Sequence, residues 1–256
     1  MGIRVGTTPI LKMYAGPKLP SFSPADITGI QEWWESSNGI TLAGSNVETW
    51  TGQINSTVLT AITPGSGLLY NASDANVNGK PSLANDGATY SSLRNTTVLS
   101  DFTPTQDRSQ FYIFRANTGN AGYSMIGGQT STAGNASEIS AYISAPGATD
   151  TLGSYFFGGG SRPSSTITEN KTYCFVITYS NVGSANYYII DETGTTSTAS
   201  TTGLGANDLN PFTLEIGGYN NGLKYNGLVT EFGFVNGIMS AGDIADLQQY
   251  TLDTYV

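Results

Sequence analysis

"TYCFVITYSNVGSANYYIID", residues 172–191, decides the fold. Two runs of aromatic and β-branched residues flank a cluster of Ser, Asn and Gly, the pattern of a β-hairpin with its turn over Ser180 to Ala185. Successive strand residues face opposite ways. Tyr173, Phe175, Ile177 and Tyr179 therefore share one face, and Cys174, Val176 and Thr178 share the other. Free cysteine is usually buried, so Cys174 is expected to be a small buried thiol.

The same pattern recurs outward along the chain. "TVLTAIT", "SQFYIFRA", "EISAYISA", "FTLEIGGY" and "GLVTEFGFVN" are further apolar or alternating runs bounded by turn residues. With 32 glycines and charged residues at only 11%, against about 25% in ordinary domains, the chain reads as all-β. A strand roughly every ten residues suits a two-sheet antiparallel sandwich. One helix is expected, over residues 240–254, with Ser240 as N-cap, Asp243 resembling the partner in a capping box, and Ile244, Leu247 and Tyr250/Thr251 at helical spacing. Ser23 is placed to cap a short helical turn that starts at Pro24.

Composition excludes several functions. The chain has no histidine, which removes Ser-His-Asp and Cys-His catalysis and His-ligated zinc. A single cysteine makes no intrachain disulfide and fits synthesis in a reducing cytoplasm. The net charge is −9 and the ten basic residues are dispersed, so nucleic acid is not an expected partner. No run of about 18 apolar residues occurs, so no membrane-spanning helix is expected. Sequons at Asn55, Asn71, Asn95, Asn135 and Asn170 are what chance yields in a chain rich in Asn, Ser and Thr.

Residues 1–25 form a separate region, with Arg4, Lys12 and Lys18 and no acidic residue. This basic hairpin arm precedes an acidic body over 26–256, onto which it folds back or from which it reaches a neighbouring subunit.

Several motifs carry a resemblance. Trp33-Trp34-Glu35-Ser36-Ser37-Asn38 leads to "GSNVETW" at 44–50, and "NGKPSLANDGATY" follows at 78–90. After the hairpin come "FTLEIGGY", "KYNGLVTEFGFVN" and the closing "MSAGDIADLQQY". In this order the pieces resemble the concanavalin A-like lectin/glucanase superfamily, and more narrowly the laminin-G-like domains of bacterial and phage proteins. Glu35 stands where that family more often has Asp, and "ANDG" stands for "FDG". "VGTTPILKMYAGPKLP", residues 5–20, is similar to a short hairpin near the N-termini of tailed-bacteriophage virion proteins.

The resemblance implies a jelly-roll β-sandwich with a short C-terminal helix and an N-terminal arm. It implies a non-enzymatic virion structural protein, displayed on the virion surface as a head decoration, fibre-like, tail or baseplate component. Its expected partners are other virion proteins and further copies of itself, with Arg4, Lys12, Tyr14 and Lys18 in the anchoring arm. The alternative is a receptor-recognition module that binds host-surface glycans. Sugars stack on aromatic faces while amides bond their hydroxyls. The candidates are Tyr219, Asn220, Asn221 and Tyr225, with Asn46 and Tyr123 beside them.

Glycosidases of the superfamily set clustered carboxylates on one strand face, and retaining chemistry needs them about 5–5.5 Å apart. Here Asp191 and Glu192 are adjacent and so point to opposite faces, while Glu215 and Glu231 read as isolated. Glu35 lacks a second carboxylate and is expected to stabilise the following turn. No enzyme activity and no cofactor are expected. Calcium is known in laminin-G-like domains, but the chain has no dense Asp cluster to hold it.

Overall fold

A computed structural model describes residues 22–86, 91–95, 107–120, 122–131, 139–145, 151–156, 160–204, 212–219 and 223–256. Arg4, Lys12, Tyr14 and Lys18 of the arm lie outside them. The described chain is nearly all β, with one C-terminal helix and two single 3-10 turns.

The hairpin forms as its alternation requires. Thr172–Ser180 and Ser184–Asp191 pair antiparallel from Tyr173↔Asp191 to Ser180↔Ser184. Pairing thus runs further than the sequence suggests and leaves Asn181 to Gly183 as the turn. Gly183 sits at φ +84, where an added Cβ would run into the Leu204 carbonyl.

Antiparallel pairing continues from strand to strand until the sheet nearly closes into a barrel. From Thr196–Thr202 it runs through the hairpin to Arg108–Ala116 and then to Asn226–Asn236. That long strand pairs along part of its length with Lys80–Asp86 and along the rest with Ile30–Glu35. From Lys80–Asp86 the sheet turns through Leu69–Asp74, Asn46–Thr51, Val58–Ala61, Leu93–Arg94 and Phe212–Ile216. It ends with Gly122–Ser131, Ile139–Ala145, Thr151–Phe156 and Gly160–Thr166. There the Ser165 hydroxyl comes 3.4 Å from that of Ser197 on the first strand.

The interior holds the main core. A row of aromatic rings crosses it, Trp34–Phe232–Tyr112–Phe175–Tyr187, with centroids 5.1–6.4 Å apart. Each ring comes from a neighbouring strand, so the row ties five strands together, each contact adding about 0.5–1.5 kcal/mol beyond area burial. Thr172–Ser180 is buried on both faces. Tyr173, Phe175, Ile177 and Tyr179 enter the main core, while Cys174 and Val176 enter a second core.

That second core lies under the helix Ala241–Tyr255, which buries Ile244, Leu247 and Tyr255 against the outside of the sheet. The helix starts one residue later than expected from sequence, with Ser240 as its N-cap. The Ser240 hydroxyl accepts from the Asp243 amide at 3.0 Å and donates to the Asp243 carboxylate at 2.9 Å. Ser23 caps Pro24–Asp26 with a full capping box.

The tryptophans build the scaffold. Trp34 points into the main core and Trp33 into the second, as neighbours on one strand must. Trp50 is fully buried and its indole donates to the Glu35 carbonyl. Glu32, one position before the pair, is buried, and its carboxylate accepts the backbone amides of Ile54, Asn55 and Thr57. It fastens the loop that follows Trp50.

Candidate functional site

Four segments meet at one end of the barrel and enclose an open depression of about 490 Å³. Its wall includes Asn46, Gly65 to Gly67, Asn85, Ser91 and Asn117, with Leu69 as an apolar ledge that is 49% exposed. None of the described lining residues is charged.

The local structure of each segment explains its place. Asn46 opens the strand Asn46–Thr51, and its amide donates to the Gly65 carbonyl at 2.6 Å, holding the 63–67 turn against the strand. Gly67 packs so closely on the Val47 carbonyl that a side chain there would collide with it. Asn85 donates to the Ser91 carbonyl at 2.9 Å and to the Gly217 carbonyl at 2.7 Å. Asn117 belongs to a lattice with Asn120 and Asn226. The Asn117 backbone amide donates to the Asn226 carbonyl, and the Asn120 side chain donates to the carbonyls of both Asn117 and Asn226. The side-chain carbonyls of Asn46 and Asn117 accept no hydrogen bond among the described residues, so two acceptors remain for a ligand's hydroxyls.

The segment that holds Tyr219 to Tyr225 is tied to a lining residue of this depression, since Asn85 donates to the Gly217 carbonyl. Gly218–Tyr219 pairs with Leu223–Lys224, between Gly217, held by Asn85, and Asn226, held by Asn120. Asn220 and Asn221 lie outside the described residues, as do the side chains of Tyr219 and Tyr123. Tyr225 departs from the expectation. It is fully buried, and its hydroxyl donates to the Arg115 carbonyl at 2.7 Å, so its ring presents no face to a sugar. The sequence signal failed because "KYNG" has the composition of a turn while Tyr225 faces inward beneath the asparagine lattice.

Glu231 is not isolated either. Strand register sets it opposite Glu35. Its carboxylate is buried and accepts from the Trp33 indole at 2.6 Å, the Tyr250 hydroxyl at 2.7 Å and the Tyr255 hydroxyl. Burial pushes its pKa up to about 7 and nearby Glu35 adds to the rise, against the lowering effect of the three donors. These donors tie the helix to the sheet and occupy the carboxylate, which therefore reads as structural. Glu215 is also buried, held by Ser92 at 2.7 Å and by a two-pronged Arg94 at 3.1 and 2.7 Å. Among the described residues no group of three or more Asp, Glu or Cys side chains is arranged to hold a metal ion. No described helix is long and apolar enough to cross a membrane.

No family model and no curated protein matches the chain. Solved structures do. An arabinofuranosidase complexed with arabinofuranosyl-α-1,2-xylobiose is similar with a TM-score of 0.64 at 14% identity, over 82% of this chain and 52% of that one. Domain 4 of AbnA, a GH43 extracellular arabinanase from Geobacillus stearothermophilus, in complex with arabinotriose, is similar with a TM-score of 0.56 at 12% identity, over 88% and 100%. The enzymatically active domain of tailspike protein 2 from bacteriophage CBA120 is similar with a TM-score of 0.52 at 14% identity, over 84% and 33%. This chain spans about half of the arabinofuranosidase and a third of the tailspike domain. At these identities the likeness is one of fold, a β-rich sandwich or barrel.

Proposed function

We propose that the chain is a non-enzymatic glycan-binding protein of a bacteriophage virion. It is built as a concanavalin A-like, laminin-G-like jelly roll, displayed on the particle surface and held there by its N-terminal arm. The observation that carries the binding role is the uncharged depression between Asn46, Asn85 and Asn117. Its amides and backbone carbonyls match sugar hydroxyls, and Leu69 offers an apolar contact. None of the described lining residues carries a carboxylate for general acid or base work, which supports the binding reading. Support for the virion setting comes from the N-terminal resemblance and from the tailspike fold.

Glycan binding is tested by calorimetry of the full chain against neutral host-surface oligosaccharides. Removing both free acceptors with Asn46→Ala/Asn117→Ala is expected to weaken binding roughly tenfold or more, at about 1 kcal/mol per lost hydrogen bond. Absence of binding to any neutral glycan, with the chain in its assembled form, would reject the role. Anchoring is tested separately. Deleting residues 1–20 is expected to abolish incorporation into particles while leaving the barrel folded.

A further inference from the structure

At the end of the main core marked by Arg108, away from the asparagine-lined depression, a group of buried polar atoms has no partner among the described residues. Arg108 is 1% exposed, and none of its three guanidinium nitrogens makes a hydrogen bond among the described residues. Its guanidinium lies over the Tyr179 ring, 4.9 Å from the guanidinium carbon to the centroid. Burial pulls the guanidinium down to about 9, so it remains charged at neutral pH. Gln110 leaves its side-chain NH2 unpartnered, and Gln129 leaves both its NH2 and its carbonyl unpartnered.

Strand register sets these groups in one region. Arg108 stands opposite Tyr179 and Gln110 opposite Ile177, so both face the main core. Gln129 stands between Ile139 and Leu214, which are also core residues, on the facing wall. The walls meet here. Tyr179 stacks on Phe156 at 5.7 Å, Phe156 is the strand partner of Ile139, and the Tyr112 hydroxyl reaches both Gln110 and the Gly127 carbonyl. An unpaired buried cation is costly, and an unpaired buried amide adds to that cost.

We infer that this end of the core is a binding site for a hydroxylated carboxylate, the chemistry of an acidic sugar residue. A guanidinium fork accepts a carboxylate bidentately. The NH2 groups of Gln110 and Gln129 supply further donors to the same anion. Gln129 also presents a carbonyl, which requires a donor, and a hydroxyl beside the carboxylate provides it.

The test uses thermal melting and calorimetry of the full chain with sodium glucuronate, sodium acetate and glucose at matched ionic strength. Glucuronate is expected to raise the melting temperature saturably, by about 5 °C at a hundredfold excess over its Kd. Acetate is expected to bind at least tenfold more weakly, and glucose to leave Arg108 unaffected. Arg108→Met is expected to lose the glucuronate response at least a hundredfold and to melt higher without ligand, because an uncompensated buried charge is gone. Arg108→Lys keeps the charge without the fork and is expected to bind at least tenfold more weakly, which secures the result if Arg108→Met does not fold. Gln129→Leu is expected to erase the preference for glucuronate over acetate. The Asn46→Ala/Asn117→Ala variant is expected to keep the glucuronate response, which separates this site from the neutral-glycan depression. No saturable glucuronate response in the unmodified chain, or an undiminished one in Arg108→Met, overturns the inference.

Discussion

The indole of Trp33 donates to the carboxylate of Glu231 at 2.6 Å, although 198 residues separate them. The bond joins the first described strand to the longest, and Tyr250 and Tyr255 bring the C-terminal helix to the same carboxylate. Fold, helix docking and acid–base behaviour therefore meet at one side chain.

That carboxylate sets the pH response. Its folded-state pKa is about 7, against an ordinary 4.5 in the unfolded chain. The folded state thus holds the proton more tightly. The resulting stability is fully present below about pH 4.5 and is lost as pH rises through about 7. The facing groups are Trp33, Tyr250, Tyr255 and Glu35, and only Glu35 adds charge of the same sign. Loss on the order of 3 kcal/mol is expected, at about 1.4 kcal/mol per pH unit. Melting curves of the unmodified chain and Glu231→Gln at pH 5 and pH 8 measure it. Glu231→Gln should flatten the difference and be the more stable of the two at pH 8. Equal pH slopes in both proteins would rule out Glu231 as the source.

Tyr255→Phe removes one of the three donors while keeping the ring in the second core. A loss of about 1–2 kcal/mol is expected from denaturant unfolding. Because this donor lowers the Glu231 pKa, its removal should also carry the pH-dependent loss to higher pH. A change in stability with no change in the pH profile would show that Tyr255 acts through packing alone.

How legible these features were in sequence depends on their range. The Thr172–Asp191 hairpin is local, so alternation and turn composition were enough to place it. The helix was legible because Ser240 and Asp243 are three residues apart. That at least one of Trp33 and Trp34 is core was legible because adjacent strand residues face opposite ways; that a second core under the helix buries the other was not. The pairing of Glu35 with Glu231 was not, since it depends on register between strands from opposite ends of the chain. Likewise, Asn46, Asn85 and Asn117 converge only when three segments fold together, and no spacing announces that. Tyr225 misled because aromatic-polar composition does not reveal which side of a strand faces inward.

Cys174 should be inert in the folded chain. Burial pushes its thiol up to about 12, and it lies in the second core with Val176 and Leu247. Reactivity follows thiolate fraction and access, and both are low here. Iodoacetamide at pH 8 should leave Cys174 unmodified under native conditions and label it fully in guanidinium chloride. Rapid native labelling would mean that the helix opens readily from the sheet.

Glu32 provides the sharpest test of how the loop after Trp50 is held. Its buried carboxylate accepts the Ile54 amide at 2.8 Å, the Thr57 amide at 2.8 Å and the Asn55 amide at 3.1–3.2 Å. Charged hydrogen bonds of this kind are stronger than neutral ones, and their removal leaves three backbone amides to find water. Gly52 packs directly on the same carboxylate, so a bulkier neighbour has no space. Glu32→Ala is therefore expected to cost about 3 kcal/mol or more, because it leaves a cavity as well as orphaned donors. Glu32→Gln keeps the volume and one acceptor oxygen, and should cost less. Amide hydrogen exchange distinguishes local from global effects. Ile54, Asn55 and Thr57 should lose protection first in both variants, while the Thr172–Ser180 strand keeps its own. If those three amides exchange no faster in Glu32→Ala, the loop is held by something other than this carboxylate.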